Sequence, residues 1–383
     1  MRTLITGGAG FIGSHLALRL VASGHKVTVL DALSPQIHGA DPESSSLYRS
    51  IVDKVTFVRG DVTNADDLRR TLTGQEVVVH LAAETGTGQS MYKIDHYVRV
   101  NVGGTGLLLD LLANENHSVR KIVVASSRSI YGEGKYFSKE FGAVYPEHRR
   151  AADMSIGDFE VKYPGSSELT LVATDEDSNI CPSSVYGITK HTQEQLIMTV
   201  CPGINIAPVA LRYQNVYGPG QSLTNPYTGI LSIFSNLIMS GKPINVFEDG
   251  TESRDFVFID DVVTATQLAI ESDKASGGVF NVGTGVATDV MTVARSLVKK
   301  LNGHSTISLS GNFRLGDIRH NYASIDRATA VLGFKPTVSF DKGLDCFCAW
   351  VQSMGAVTSD YEGSLDEMKA AVVPVVRTVF ADF

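Results

Sequence analysis

Four cysteines in 383 residues are too few and too scattered to staple a fold. Cys181, Cys201, Cys346 and Cys348 form no C-x-x-C pair and meet no paired histidine spacing, so neither a zinc site nor a disulfide framework is indicated. Free thiols of this kind point to a reducing, cytoplasmic setting. No apolar run reaches the roughly 18 residues that a membrane-spanning helix requires. No basic segment leading into an apolar stretch precedes the first strand, and a soluble, unexported protein is expected. Positive charge is also short. Against 41 Asp and Glu stand 33 Lys and Arg, a formal charge of −8 that argues against a nucleic-acid or anionic-membrane partner and still allows a local basic pocket.

What the chain does have is glycine, 36 residues of it, in a sequence that is 43% hydrophobic. That composition suits a large core crossed by tight turns, and the length suffices for two lobes sharing it. Residues 1–31 read as strand, turn, helix, strand. Gly7, Gly10 and Gly13 follow G-x-x-G-x-x-G between the strand Arg2–Thr6 and a helix over Ser14–Ser23. Missing side chains there let a pyrophosphate approach backbone amides and the helix N-terminus. Asp31, 18 residues after Gly13, ends the second strand, where a carboxylate accepts hydrogen bonds from a ribose diol and repels a 2′-phosphate. Ala32-Leu33-Ser34-Pro35 offers no cation to such a phosphate, so NAD is favoured over NADP. Asp61 closes a third strand within reach of an adenine, and the small residues after His80, Leu81-Ala82-Ala83, let the backbone lie against the cofactor. A helix over 101–112 and a strand over 121–127 continue the rhythm. Repeated βα units of this kind predict an α/β fold with a doubly wound, Rossmann-type parallel sheet.

Ser127 ends one of these strands and therefore faces the crevice where ligands of such sheets sit. Downstream, Ser183-Ser184-Val185-Tyr186-Gly187-Ile188-Thr189-Lys190 reads as a helix start, with Tyr186 and Lys190 four residues apart on one face. A phenol titrates near pH ~10 in model peptides, and a flanking ammonium draws it down. Tyr186 is thus a candidate general base, with the Ser127 hydroxyl placed to relay a hydrogen bond to it.

Thr6 to Gly13, Ser126-Ser127 ahead of Tyr131-Gly132, Tyr186-x-x-x-Lys190, Leu211-Arg212 with Asn215-Val216-Tyr217-Gly218-Pro219, and Arg254-Asp255-Phe256-Val257 with Asp260-Asp261-Val262 occur in one order. Together they resemble the extended short-chain dehydrogenase/reductase family of nucleotide-sugar epimerases and dehydratases over about residues 1–345. The resemblance implies that Ser127, Tyr186 and Lys190 are catalytic. It implies NAD contacts from Gly7, Gly10, Phe11, Ile12, Gly13, Asp31, Asp61, Val62, Leu81, Ala82, Ala83, Asn101, Tyr186 and Lys190. Substrate contacts are implied for Gln89, Ser90, Ser127, Arg128, Asn215, Arg254, Arg314 and Asp317, Arg254 being suited to bidentate phosphate contact. A smaller substrate-binding lobe is expected from 216–253 and 289–383. The NAD-binding domain is expected over 1–215, interrupted by an insertion at about 133–182 and rejoined by 254–288.

Within the family, dehydratases carry an Asp-Glu pair just after the serine or threonine, and decarboxylases a Glu two residues after it. Here Arg128 and Ser129 follow Ser127, so both chemistries lack their carboxylate. What remains is reversible hydride transfer, an NAD-dependent epimerisation of a nucleoside-diphosphate sugar at C4 through a transient ketone. Gly86 to Tyr92, Asn225 to Gly229 and Leu315 to His320 are similar to the branch of dTDP-L-rhamnose 4-epimerases. Rivals are a 4-reductase or dehydratase of the same fold and, outside enzymes, a silent NAD-binding regulator. Related epimerases often carry cysteine pairs in the insertion; Tyr145-Pro146-Glu147-His148 and Tyr163-Pro164-Gly165-Ser166 stand there instead, and no metal is predicted. The insertion is read as a lid or an edge of the pocket. The helices from Asn101 and Ser184 are those the family pairs across a two-fold axis, implying a homodimer. A last amphipathic helix is expected over 366–383, with no assigned role.

Overall fold

The computed structural model describes residues 1–225, 227, 229–355, 363, 367 and 375–377. Seven strands, all joined in parallel, form the main sheet in the order Val279–Val282, Ala207–Tyr213, Lys121–Ser127, Val77–His80, Arg2–Thr6, Lys26–Asp31, Thr56–Arg59. Their apolar runs are continuous rather than alternating because both faces are covered: every residue of Val77–His80 and Lys121–Ser127 is buried.

Side-chain alternation then deals the residues to two cores. Leu4, Val78, Ile122, Val124 and Ala210 pack with Leu108 and Leu112 of the helix Gly104–Asn114 and Ile197 of the helix Val185–Gly203. Ile5, Val79, Val123 and Val209 pack with Leu16 and Leu20 of Phe11–Ala22 and with Val262 and Ala269 of Ile259–Glu271. Each of these side chains taken fully out of water contributes roughly 1.5–3 kcal/mol. The chain leaves Arg2–Thr6 in one direction and returns on its other side at Val77–His80. The strand order therefore reverses between these two, and a crevice opens at their carboxyl ends.

The smaller lobe is built on a second sheet, in which Ser253–Phe258 pairs with Asn215–Tyr217, Ala287–Asp289 and His320–Asn321. Arg254 lies on this small sheet, and the chain rejoins the helical layer of the large one at Ile259. The insertion is ordered structure: Tyr136–Ser138 pairs antiparallel with Gly142–Val144 and Leu169–Leu171 around Tyr136, Val144 and Val161.

The helix expected from Asn101 begins earlier, and its first part, Val98–Gly103, winds as a π-helix. Such turns collect at functional sites. The helix expected over 366–383 falls mostly outside the described residues; within it, Val375–Arg377 is a strand antiparallel to Asn312–Arg314, since that strand leaves an edge to be paired. No helix among the described residues is long and apolar enough to cross a membrane.

Candidate active site

The glycine turn sits at the crevice. Gly7 has φ +70°, and a Cβ on Gly13 would lie 2.4 Å from the Gly7 carbonyl oxygen, so the turn can close against its helix only without side chains. Gly10 is the N-cap of Phe11–Ala22 and supplies no side-chain cap, which leaves the first-turn amides for a pyrophosphate. The Asp31 carboxylate accepts from the Ala9 amide at 2.9 Å and the Leu33 amide at 2.8 Å, and is thereby held at the strand end facing the turn. This donor set fits NAD.

The other implied cofactor residues divide. Asp61 spends one oxygen on the Thr63 amide and hydroxyl, both at 2.8 Å. Val62 is buried, whereas Phe11, Ile12, Leu81, Ala82 and Ala83 line the half-buried rim. Asn101 is the next of these residues. It is wholly buried, accepting from the Glu84 amide at 2.7 Å and donating to the Glu84 carbonyl and the Thr189 hydroxyl at 3.1 and 3.0 Å. Its amide pins the loop after Val77–His80 to the helix Val185–Gly203.

That helix, Val185–Gly203, is capped by Ser184, whose hydroxyl accepts from the Gly187 amide at 3.1 Å. Gly187 lets its first turn press on the turn Arg128–Ile130, because a Cβ there would stand 2.6 Å from the Ser129 carbonyl oxygen. The approach brings the Tyr186 phenol into a hydrogen bond with Ser127, whose hydroxyl also accepts from the Ser129 amide at 3.2 Å. Burial raises the phenol above its ordinary range, while the Ser127 hydroxyl and the Arg128 guanidinium draw it back.

The cation acting on Tyr186 was expected to be Lys190. In this structure Lys190 is buried and donates to Gln193 Oε1 at 2.7 Å, one turn along its own helix. Burial pushes this ammonium down to about 7, against the pull of Glu194. The Arg128 guanidinium is the charge that draws on the phenol in this structure.

At the substrate end, a narrow cleft between Ser183, Ser129 and Gly316 of the smaller lobe brings together Arg128, Arg254 and Asp317. Arg254 is fixed by donating to the Ser253 and Arg319 carbonyls at 2.8 and 2.9 Å. Arg128 Nη1 is buried without a partner, and burial with the neighbouring Arg254 lowers its pKa to about 9. Two guanidiniums thus share this cleft with one carboxylate. Arg314 lies off this cleft over the Phe247 ring, 4.8 Å from its centroid, and Asn215 keeps a buried, unpartnered Oδ1.

Two expected substrate residues turn inward. Gln89 exchanges amide hydrogen bonds with Gln36 at 3.1 and 3.2 Å and accepts from Tyr97 at 3.1 Å. Ser90 accepts from the Tyr186 amide at 3.0 Å and donates to the Thr87 carbonyl at 2.7 Å. Both are buried, and Thr87 takes the place on the cleft wall.

Sequence reasoning missed the insertion's hold on the site. Arg149 reaches Glu248 at 2.7 and 2.9 Å, Glu133 at 3.3 Å and the Asp317 carbonyl at 2.9 Å. Arg319, with no exposed surface, adds bonds to Glu248, Asp249 and Glu160 at 2.6 to 3.0 Å. Nothing in the local sequence separates these arginines from surface ones. The insertion thus fastens the cleft wall at Asp317.

The chain matches the model of the NAD dependent epimerase/dehydratase family over residues 3–154 and 160–283. It is 37% identical to a dTDP-L-rhamnose 4-epimerase of Burkholderia thailandensis, over 91% of this chain and 94% of that one. It is 33% identical to a UDP-glucose 4-epimerase of Mycolicibacterium smegmatis, over 90% and 96% respectively. Among solved structures, the UDP-glucuronic acid 4-epimerase of Bacillus cereus, in complex with UDP-glucuronic acid and NAD, superposes with TM-score 0.74 at 27% identity, over 92% of this chain and 100% of that one. By sequence, fold and site, the chain belongs to the NAD dependent epimerase/dehydratase family.

Proposed function

We propose that this protein is a 4-epimerase of a nucleoside-diphosphate sugar, with dTDP-L-rhamnose the first substrate to test. The observation that carries the reading is the Ser127–Tyr186 pair beside the Arg128–Arg254 anion cleft, with no carboxylate in the two positions after Ser127. NAD, held by the glycine turn and Asp31, would supply reversible hydride exchange with the sugar carbon, and its positive ring would favour the ionised form of the buried Tyr186 phenol. Tyr186, as phenolate, takes the proton of the 4-hydroxyl and returns it once the opposite face of the sugar is presented. Ser127 holds the same oxygen through its hydroxyl. Arg128 and Arg254 hold the diphosphate, with Arg314, Asn215 and Asp317 extending the grip toward the nucleotide. The buried ion pair of Arg212 and Glu194 keeps the catalytic helix seated on the sheet.

Two further parts of the reading rest on surface chemistry. Ile94, Val98 and Ile188 are exposed on the helical run from Ile94 and on the catalytic helix, which supports a two-fold homodimer through those helices. Four cysteines without a disulfide support residence in the cytoplasm. Light scattering at increasing concentration tests the dimer; a monomer throughout refutes it.

The activity is tested by incubating the protein, without added cofactor, with dTDP-L-rhamnose, UDP-glucose, UDP-galactose and GDP-mannose in D₂O. Proton NMR should show inversion at C4 with no deuterium incorporated. Deuterium at C3 or C5, or no reaction with any of them, refutes the reading. Tyr186→Phe should abolish turnover and leave NAD bound.

A further inference from the structure

Behind Lys190 runs a chain of buried polar groups that no part of the proposed reaction uses. Lys190 Nζ donates to Gln193 Oε1 at 2.7 Å, and Gln193 Nε2 donates to Thr105 Oγ1 at 2.8 Å. Thr105 Oγ1 lies 2.9 Å from His80 Nε2, and His80 Nδ1 lies 2.8 Å from Thr6 Oγ1. Thr6 immediately precedes the glycine turn. Gln193, Thr105 and Thr6 are wholly buried, and His80 and Lys190 nearly so.

Valence fixes every direction in this chain. Thr105 has one hydroxyl proton and gives it to the Asn101 carbonyl at 2.6 Å. Towards Gln193 and His80 it can therefore only accept. His80 Nε2, 2.9 Å from Thr105 Oγ1 and 3.4 Å from Gln193 Nε2, then carries the proton and gives it to the nearer Thr105, its Nδ1 accepts from Thr6, and the Gln193 amide cannot flip without facing the Lys190 donor with a donor. The imidazole stays neutral, since burial and the nearby Lys190 ammonium push it down to about 3. One of the three ammonium protons of Lys190 is thereby committed to Gln193. The other two, spread tetrahedrally about the nitrogen, point away from that acceptor.

We propose that Gln193, oriented by Thr105, His80 and Thr6, is the positioning residue that aims the Lys190 ammonium, and that the same chain ties this aim to the strand carrying the glycine turn. The inference rests on the epimerase reading only for its kinetic consequence. A merely structural glutamine would hold the helix and leave the acidity of Lys190 alone; this one makes that acidity depend on its acceptor. The charged and titratable groups around Lys190 are Glu194 on its own helix, which Arg212 holds from the neighbouring strand, His80 from the sheet, and Tyr186 one turn back.

Two variants separate the possibilities. Gln193→Met keeps the volume and removes the acceptor, so the ammonium is stabilised less and is lost at lower pH; kcat should fall about tenfold with KM nearly unchanged, and its alkaline limb should move to lower pH. Gln193→Glu keeps the acceptor with a charge, and should move that limb to higher pH. Limbs that stay in place, or move in the same direction, overturn the proposal. On the unmodified holoenzyme, nitrogen NMR of labelled histidine, with His80 assigned through His80→Gln, should show an Nε2–H imidazole that does not titrate between about pH 5 and about pH 8. An Nδ1–H tautomer, or titration in that window, overturns it without reference to any substrate. A protein that passes this test and turns over no sugar would refute the proposed function alone.

Discussion

Gly187→Ala adds one methyl group to the first turn of the catalytic helix, and two effects of opposite sign compete. Alanine is the better helix former by roughly 1 kcal/mol, which favours the variant. The new Cβ would, however, stand 2.6 Å from the Ser129 carbonyl oxygen and 3.0 Å from Pro182 Cβ, where ordinary contact begins at 3.4 Å. Relief requires the helix start to move by about 0.8 Å from the turn that follows Ser127, and overpacking of this kind costs roughly 1–3 kcal/mol. The difference leaves a loss of up to about 2 kcal/mol in stability, so the melting temperature should hold or fall by a few degrees. Catalysis has no compensating term. Tyr186 precedes Gly187 and meets Ser127 across the same contact, and a shift approaching 1 Å at reacting groups costs on the order of 10²-fold in rate. Steady-state epimerisation, thermal unfolding and the content of bound NAD, measured on one preparation, give the comparison. A variant that is more stable and fully active would refute the seating of the helix on the Ser129 carbonyl.

Arg128→Gln removes a buried, partly unsatisfied cation from the cleft; KM for the nucleotide sugar should rise at least about tenfold while the melting temperature holds or rises, and an unchanged KM would remove Arg128 from the anion site. Glu252 is buried with one unpartnered oxygen, and burial, then the charge of Glu248, raises its carboxyl from 4.5 to about 7. The folded state therefore holds this proton more tightly than the unfolded one: stability from it is full below about pH 4.5 and is lost as the pH rises through about 7, a change on the order of 1–3 kcal/mol. Glu252→Gln should raise the melting temperature at about pH 8 and not at about pH 4.5, and an equal gain at both would contradict the assignment.

Much of this architecture can be read from the chain because its signals are local. The strands of the large sheet are short apolar runs, four of them ended by glycine or acid, and the turn around Gly7, Gly10 and Gly13 lies between two of them, so topology and cofactor end follow from short stretches. Tyr186 and Lys190 share a helix face by spacing alone. The rest is settled by partners far away in sequence. Arg149 and Arg150 look alike as a basic pair, yet the Arg149 side chain is 3% exposed while Arg150 faces solvent. Gln89 and Ser90 sit in a stretch shared with a branch of the family, but their hydrogen bonds go to Gln36, Tyr97 and the Tyr186 amide. The direction of the Lys190 ammonium depends on a threonine 85 positions earlier, which no periodicity reports.

The salt-linked knot that joins the insertion to the smaller lobe restricts how this protein can change. Excising residues 133–182 would strand Glu248 and Arg319 without Arg149, Glu133 and Glu160, and an unpaired buried charge costs several kcal/mol. No single substitution of Arg149, Arg319 or Glu248 escapes that cost, because each of these three answers to more than one opposite charge. The segment can be shortened or traded only by replacing the whole set at once. Chimeras that swap the 133–182 segment between relatives should therefore fold when Glu248, Asp249 and Arg319 travel with it, and fail when they stay behind.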